Sequence, residues 1–250
     1  MGSAVLAACP QPCIPVKEDL QLTHPVTAES DYYSNQPGLA GFVSRMSMKA
    51  RRQMFKRLML DVMPSSSTMV LDVGVTSNRR PESNFFERLY PYPERITAVG
   101  LEDASFLEND YPGLTFVKAD GLSLPFADQS FDLVVSFAVI EHAGSRGQQK
   151  AFVEELCRVG RSVYLTTPNR WFPVEFHTVL PLIHWLPPVN FRGILKILGR
   201  KFYAKEANLN LLTSSELVEL FPAGYHCVTS HHRLVGMVSN LVYYAQRIRR

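Results

Sequence analysis

Short apolar runs and amphipathic segments alternate along the chain from Phe42 to Thr166. Apolar runs bounded by turn residues are typical of buried parallel strands, whereas apolar positions three and four residues apart are typical of helices. The runs predict strands over residues 69–73, 96–101, 114–117, 131–137 and 162–166. Helical spacing predicts helices over residues 42–62, 84–89 and 148–159. Such βαβ crossovers give a mostly parallel sheet with helices on both faces, so the sequence predicts an α/β fold.

The last third of the chain breaks this alternation. Aromatic and aliphatic side chains crowd among prolines after Trp171, which predicts an insertion over residues 171–212 with its own apolar surface. Thr213 and Glu216 have the spacing of a capping box at the start of a helix. Two extended runs, 225–235 and 241–246, predict a hairpin at the sheet edge. We therefore expect an N-terminal arm over residues 1–37 and one domain over residues 38–250.

Composition narrows the class of protein. The formal net charge of +3 over 250 residues is small, and no base-reading motif is present, so nucleic acid is not an expected partner. The four cysteines lack metal-site spacing and predict reduced thiols in a cytoplasmic protein. No run approaches the ~20 apolar residues of a membrane span. The basic helix over residues 42–62 leaves peripheral membrane contact open, and no pattern indicates an oligomeric state.

Acidic residues lie at or after the ends of three predicted strands. Asp72 lies in the first strand, just before Gly74, and Glu102 or its neighbour Asp103 follows the second. Asp120 and Gly121 follow the third. Ligands of open α/β sheets bind at the carboxyl ends of the strands, where carboxylates can accept ribose hydroxyls or an adenine amino group. The G-x-G-x-x-G pattern is absent, which disfavours a nicotinamide or flavin cofactor.

These motifs resemble the class I S-adenosylmethionine-dependent methyltransferases of the type 11 group. The resemblance rests on Leu71-Asp72-x-Gly74, Gly100-x-Glu102, Asp120-x-x-x-Leu124-Pro125-Phe126, Ser130-Phe131-Asp132 and Ala138-Val-Ile-Glu141-His142. It implies a Rossmann-like methyltransferase fold: a mostly parallel seven-stranded sheet with helices on both faces and an antiparallel final strand. It also implies S-adenosyl-L-methionine as the cofactor. The cofactor-binding residues that we expect are Asp72, Gly74, Thr76, Glu102, Asp120, Gly121 and Ser136.

The chain departs from the family pattern in the glycine loop. Thr76 and Asn78 replace two of its glycines. We favour a variant functional loop whose hydroxyl and amide groups bind the carboxylate of the methionine tail, with Arg79 or Arg80 nearby. The alternative is a binding module that keeps the fold without catalysis.

The candidate catalytic residues are His142, Glu141 and His177. An acceptor hydroxyl must lose a proton when it is methylated, and a histidine can accept it. Glu141-His142 also resembles a Glu-His pair that has been linked to a metal in ubiquinone-pathway O-methyltransferases. The other acidic ligand of that metal site is absent upstream, so we expect no metal. The alternative interpretation is that Glu141-His142 orients the loop that follows it. The aromatic segment over residues 167–177 predicts an acceptor wall or a small core, and as a wall it favours a small or lipid-linked acceptor. With a histidine to take the hydroxyl proton, we expect O-methylation.

Overall fold

The computed structural model describes residues 37–80 and 83–248, with side chains from residue 47 onward. The predicted arm therefore lies outside the described residues, apart from Pro37. Cys9 and Cys13 lie in the same undescribed segment.

A seven-stranded sheet forms the centre of the fold. Its strands are β1 (Val70–Val73), β2 (Ile96–Gly100), β3 (Thr115–Lys118), β4 (Leu133–Phe137), β5 (Ser162–Pro168), and the later pair Tyr225–Leu234 and Met237–Arg247. A separate two-stranded ribbon consists of β6 (Val174–Glu175) and β7 (Leu180–Pro181), so the later pair are β8 and β9. The order in the large sheet is β3-β2-β1-β4-β5-β9-β8. The first five strands are parallel and β9 runs antiparallel to β5, which confirms the predicted fold class and the edge hairpin.

Six α-helices lie in the described part of the chain. They are α1 (Pro37–Val62), α2 (Phe85–Leu89), α3 (Phe106–Asp110), α4 (Arg146–Val159), α5 (Pro188–Ile197) and α6 (Ser214–Val218). Thr213 caps α6 in a capping box with Glu216, as predicted, and Ser145 caps α4 in the same way with Gln148. These caps satisfy amide groups that have no partner inside the helix.

Two apolar cores cover the two faces of the sheet because successive side chains of a strand point in opposite directions. Leu71 and Val73 of β1 pack in one core with α4, through residues such as Leu156. Val70 packs in the other core with Phe55 and further residues of α1 and α2. Each fully buried side chain of this size contributes about 1.5–3 kcal/mol to the free energy of unfolding. Helices α1 and α4 therefore fix the sheet from opposite sides.

The predicted insertion leaves and rejoins the sheet at one point. Asn169 and Leu212 form a parallel bridge, and the Arg170 amide donates to the Leu212 carbonyl at 3.2 Å. Between these points the insertion holds its own apolar cluster: Phe191, Leu195, Tyr203, Ala204, Leu209 and Leu211. Over residues 37–80 and 83–248, the longest helices are too short or too polar to cross a bilayer.

Candidate functional site

A cleft with a cavity volume of ≈ 140 Å³ opens at the carboxyl end of β1. Three of the predicted cofactor residues, Asp72, Gly74 and Thr76, line it. The remaining lining residues are Arg51 of α1, Val73, Val75, Ser83, Asn84, Phe85, Phe86, Phe137, Ala138 and Val139. The cleft thus lies between the ends of β1 and β4, under α1, at the edge where the sequence places the ligand.

Gly74 is the residue at which β1 turns into this cleft. Its φ of +119° is a conformation that side-chain-bearing residues rarely adopt. A Cβ atom on Gly74 would lie 2.2 Å from Cγ2 of Val139. The amides of Gly74 and Val75 both donate to the Val99 carbonyl, at 2.8 and 3.1 Å. The turn therefore requires glycine both for backbone conformation and for space.

Asn84 holds the loop that follows Gly74. Its Oδ1 accepts the Thr76 amide at 2.9 Å and its Nδ2 donates to the Thr76 carbonyl at 2.8 Å. The Asn78 amide donates to the Thr76 hydroxyl at 3.3 Å. In this variant loop the backbone amides of Thr76 and Asn78 are therefore already hydrogen-bonded within the protein and are not presented to a ligand.

Glu102 and Asp103 differ in their surroundings. Glu102 accepts a hydrogen bond from Ser77 of the loop. Asp103 instead accepts the Ser105 amide at 2.9 Å, and this bond lowers the pKa of the Asp103 carboxyl. The structure therefore brings Glu102, and not its neighbour, to the glycine loop.

Asp120 and Gly121 lie beside the end of β2 because the Ala119 amide donates to the Gly100 carbonyl at 3.1 Å. The Asp120 carboxylate accepts the Leu122 amide at 2.9 Å and remains exposed. A Cβ atom on Gly121 would lie 2.5 Å from the Phe152 ring. Gly121 is thus required for packing against α4, in addition to any contact with a ligand.

Two expectations need correction. Ser136 is fully buried and its hydroxyl donates to the Val73 carbonyl at 2.9 Å, so this side chain joins β4 to β1 and does not reach the cleft. Arg79, expected near the methionine tail, pairs with Asp110 at 3.2 Å and lies over the Phe106 ring. The cation that lines the cleft is Arg51. Sequence analysis missed its role because the helical pattern marks Arg51 only as one of several basic residues on α1.

A buried pair of carboxyl groups lies at the base of the cleft. Asp72 and Glu87 are both buried, and both Glu87 carboxyl oxygens lack a hydrogen-bond partner. Burial and the neighbouring Glu87 raise the pKa of Asp72 well above its usual range. Burial also raises the pKa of Glu87. The pair therefore holds protons more tightly than exposed carboxyl groups do.

Glu141 lies in a short 3₁₀ turn, Ile140–His142, directly after β4. The Glu141 carboxylate is fully buried and accepts the Thr167 hydroxyl at 2.9 Å through Oε2. Its Oε1 has no hydrogen-bond partner. The Glu141 carbonyl accepts the Asn210 amide at 2.8 Å. The end of β5 and the last part of the insertion thus position this turn.

The structure brings the three predicted catalytic residues together. The Nε2 atoms of His142 and His177 lie 3.1 Å apart. Nδ1 of His142 donates to the Asn208 carbonyl at 2.7 Å, and Nδ1 of His177 donates to Glu175 at 2.7 Å. Glu175 is a residue that sequence analysis did not single out. The sequence signal that could have identified Glu175 is its position two residues before His177. Glu175 lies in β6 and His177 in the turn between β6 and β7.

The environments of the two histidines differ. Part of the His142 ring is open to solvent, yet burial by the protein around it lowers its pKa. Burial of His177 is outweighed by the hydrogen bond and the charge of Glu175, which raise its pKa. Burial alone would raise the pKa of Glu175, but the bond from His177 and the other donors lower it to about 2. At neutral pH the negative charge of Glu175 therefore favours a cation at His177.

This cluster adjoins the cleft. His142 follows Val139, which lines the cleft, and its amide donates to the Val139 carbonyl at 2.8 Å. Arg51, on the other side of the cleft, is close enough for its charge to act on His177. The histidine pair therefore lies beside the cleft, between β4 and the insertion, although neither histidine lines it.

The aromatic residues of the insertion divide into two sets. Phe172 is buried and stacks on Phe176 with ring centroids 5.1 Å apart, so these residues serve the core. Trp171 and Trp185 lie 6.3 Å apart and are 54% and 41% exposed. The exposed tryptophans are therefore available to a partner, whereas Phe172 is not.

Comparisons with known proteins agree with this architecture. A family model described as a methyltransferase domain matches residues 81–162. A candidate methyltransferase of Encephalitozoon cuniculi is 35% identical over 106 residues, which are 41% of this chain. The match spans 45% of that relative's length.

Solved structures share the fold at low identity. A methyltransferase of Haloferax volcanii, in complex with the activator Trm112, has a TM-score of 0.54 at 15% identity over 87% of this chain and 99% of its own. Magnesium protoporphyrin IX methyltransferase of Synechocystis, with bound S-adenosylhomocysteine, has a TM-score of 0.53 at 13% identity over 86% and 90%. The N-methyltransferase NodS of Bradyrhizobium japonicum, with the same ligand, has a TM-score of 0.51 at 11% identity over 80% of this chain and 87% of its own. These likenesses show that the chain has the fold of S-adenosylmethionine-dependent methyltransferases, and that residues 81–162 match a methyltransferase domain.

Proposed function

We propose that this chain transfers a methyl group from S-adenosylmethionine to a small or lipid-linked acceptor, with oxygen as the atom methylated. The observation that carries the proposal is the proximity of two elements: a cleft at the carboxyl end of β1 and a histidine pair beside it, where the His142 amide bonds to Val139 of the cleft lining. Neither element alone requires methyl transfer. Together they provide a cofactor site with a proton acceptor beside it.

The residues around the cleft fit the cofactor. In this proposal Glu102 accepts ribose hydroxyls and Asp120 accepts the adenine amino group. Asp72 places a carboxyl group beside a ligand that carries positive charge, and Arg51 offers a cation to the methionine carboxylate. When bound, S-adenosylmethionine supplies an electrophilic methyl group. This chain contributes binding and alignment, which can account for much of the rate of such a transfer.

The histidine pair supports oxygen as the target. An acceptor hydroxyl loses its proton as its oxygen gains the methyl group, and the proton goes to Nε2 of a histidine. The pKa of His142 is lowered and that of His177 is raised, so His142 is the histidine that is neutral at neutral pH and can accept a proton. We divide the domain in the same terms: residues 38–170 and 213–250, the cofactor half, bind the cofactor, and residues 171–212 face the acceptor.

The glycine loop favours a second candidate function, a binding module without catalysis. The amides of Thr76 and Asn78 are bonded within the loop and not presented to a ligand. Such a module would bind the cofactor without transferring its methyl group to any acceptor. The histidine cluster argues against this alternative, because cofactor binding alone does not require it.

Calorimetric titration with S-adenosylhomocysteine tests the cofactor site. We expect micromolar binding to the full chain and about tenfold weaker binding for each of Glu102→Ala and Asp120→Ala, since each loses a hydrogen bond to a charged group. Asp103→Ala is the matched control, because Asp103 is bonded to the Ser105 amide. Equal weakening by Asp103→Ala, or no binding to the unmodified chain, would contradict the assignment. Binding without methyl transfer to an acceptor panel would favour the module.

A lipid-linked acceptor would bring the insertion to a membrane surface. Exposed apolar residues are frequent there, notably Trp171, Trp185, Val189 and Ile197. Lys196, Arg200 and Lys201 supply positive charge among them. Aromatic and basic side chains together are typical of peripheral contact with anionic lipid.

Co-sedimentation with vesicles of phosphatidylcholine and phosphatidylserine measures this contact. We expect binding at low salt that falls about tenfold when Trp171 and Trp185 are both changed to serine, because two apolar anchors are lost. Lys56→Gln with Arg57→Gln on the exposed face of α1 is the comparison variant. A larger loss in that variant would assign the contact to α1 instead.

A cytoplasmic location is part of the same proposal. Cys157 and Cys227 are both free thiols. Burial raises the pKa of each, which keeps them protonated and unreactive.

A further inference from the structure

We propose that Glu141, His142 and His177 hold a divalent metal ion of the zinc type beside the cleft. One ligand atom from each of the three lies within 4.8 Å of the others. Binding of the ion rests on these side chains alone, whereas its use in methyl transfer rests on the function proposed above. Sequence analysis expects no metal here because a further acidic ligand is absent upstream; the proposed third ligand, His177, lies 35 residues beyond His142.

The hydrogen bonds of the two imidazoles carry the argument. The Asn208 carbonyl can only accept, so Nδ1 of His142 bears a hydrogen. Glu175 is an acceptor, so Nδ1 of His177 bears one too. A neutral imidazole has one N–H, and both Nε2 atoms then present lone pairs to each other at 3.1 Å. Two lone pairs at this distance repel unless a cation lies between them.

The spacing suits a metal ion as that cation. Histidine nitrogens bind Zn²⁺ at about 2.0–2.1 Å, and two of them at a tetrahedral angle lie about 3.3 Å apart. The observed 3.1 Å between the Nε2 atoms is close to this value. A shared proton would also occupy the gap. A shared proton would not explain why Glu141, the third member of the cluster, is buried with an unpaired carboxylate oxygen.

Glu141 supplies the independent observation. Its side chain is fully buried, and Oε1 has no hydrogen-bond partner. An unsatisfied buried polar oxygen costs about 1–3 kcal/mol, more if it is charged. A carboxylate oxygen of Glu141 lies within 4.8 Å of a ring nitrogen of each histidine, so the carboxylate is within reach of a metal ion held there. The buried carboxylate and the facing lone pairs are thus accounted for by one ligand.

Each metal-binding side chain has an outer partner that fixes its orientation. Asn208 holds His142, Glu175 holds His177, and Thr167 holds Glu141. Glu175 is itself fixed by the amide and hydroxyl of Thr178, at 2.6 and 2.7 Å. Carboxylate or carbonyl partners on the second ring nitrogen are characteristic of metal-binding histidines.

The ligand set indicates the kind of metal and its role. Two histidines and one glutamate suit Zn²⁺, and three protein ligands leave a fourth position for water or substrate. The cluster adjoins the cleft through Val139. With the ion bound, neither Nε2 is open to the acceptor's proton; the ion would instead lower the pKa of an acceptor oxygen bound at that position, and the proton would go to solvent. The inferred acceptor is therefore an oxygen ligand such as a phenol, enol or hydroxy acid.

The test uses the full chain stripped of metal by a chelator. We expect one equivalent of Zn²⁺ to bind in calorimetry and elemental analysis, at least 100-fold more weakly in His142→Gln and His177→Gln. His226→Gln, an exposed histidine of β8, is the matched control and should bind as the unmodified chain does. Glu175→Gln should weaken binding about 10–100-fold, as loss of an outer partner does.

Cobalt gives a readout that does not depend on any variant folding. Co²⁺ bound to the unmodified chain should show the visible absorption of a four-coordinate nitrogen and oxygen site, without the charge-transfer band of thiolate ligands. Absence of stoichiometric zinc binding, a thiolate spectrum, or equal zinc binding by the His142 and His177 variants would overturn the proposal. Parallel titration with S-adenosylhomocysteine separates this result from the proposed function: zinc without cofactor binding leaves the metal site standing and removes the methyltransferase proposal.

Discussion

Replacing Gly74 by alanine is expected to reduce binding of S-adenosylhomocysteine at least 100-fold and to destabilise the fold by about 2–4 kcal/mol. The new Cβ atom would lie 2.2 Å from Val139, and the backbone at φ +119° disfavours any residue but glycine. Relief of both conflicts would displace the end of β1 together with the loop that lines the cleft. Calorimetric titration and urea unfolding measure the two effects.

Gly193→Ala is the matched control for this experiment. Gly193 lies inside α5, and no atom lies within 4 Å of its would-be Cβ. Alanine there should leave ligand binding unchanged and raise stability by about 0.5–1 kcal/mol, since glycine is unfavourable inside a helix. In the double variant with Val139→Ala, the steric part of the Gly74→Ala effect should be partly recovered. Full binding by the single Gly74→Ala variant would show that the cofactor does not use this turn.

Replacing Glu87 by glutamine is expected to stabilise the protein by about 1–3 kcal/mol at pH 8. Glu87 is buried beside Asp72 with no hydrogen bond to either carboxyl oxygen. Glutamine keeps the shape, removes the second acidic group and can donate to the Asp72 carboxylate. Urea unfolding followed by circular dichroism measures the gain, with exposed Glu219→Gln as control.

The gain should depend on pH in a defined direction. The pKa values of Asp72 and Glu87 are raised in the folded protein. The folded state therefore binds more protons than the unfolded chain above about pH 4, and its stability falls as pH rises toward the folded pKa values. The advantage of Glu87→Gln should grow from pH 4.5 to pH 8. An advantage that is constant over this range would show that Glu87 is not the titrating member of a buried pair.

The sheet was predictable because its strands are short apolar runs with clear ends. Strand β1 was predicted over residues 69–73 and spans Val70–Val73; β5 was predicted over residues 162–166 and extends to Pro168. Helix α1 begins at Pro37, earlier than the periodic residues suggest, because a helix can continue beyond its apolar face. The ribbon β6–β7 was not predicted, since two-residue strands leave no periodic pattern.

The two halves of the site differed in how far sequence could predict them. Asp72, Gly74 and Thr76 lie within a few residues of one another in a recurring motif, so their meeting at one cleft follows from the strand itself. Ser136 looked similar, yet the alternation of side chains along β4 turns it inward toward Val73. Arg51 reaches the cleft from α1, and no local pattern reports which turn of a helix faces a ligand.

The meeting of His142 with His177 depends on the path of the insertion, which no local pattern encodes. Both residues were candidates on chemical grounds. Their Nε2 contact arises only once the turn between β6 and β7, where Glu175 supports His177, folds against the 3₁₀ turn after β4. Long-range contacts of this kind are the part of an active site that spacing along the sequence does not report.

The bridge between Asn169 and Leu212 has an evolutionary consequence. Because the insertion begins and ends at neighbouring points of the sheet and holds an apolar cluster of its own, its two ends stay in place whatever lies between them. A lineage can lengthen, shorten or replace this segment without rethreading any strand of the cofactor half. On the function proposed above, such an arrangement lets one cofactor-binding scaffold acquire new acceptors by exchange of residues 171–212, which are the segment to graft when acceptor preference is to be transferred between relatives.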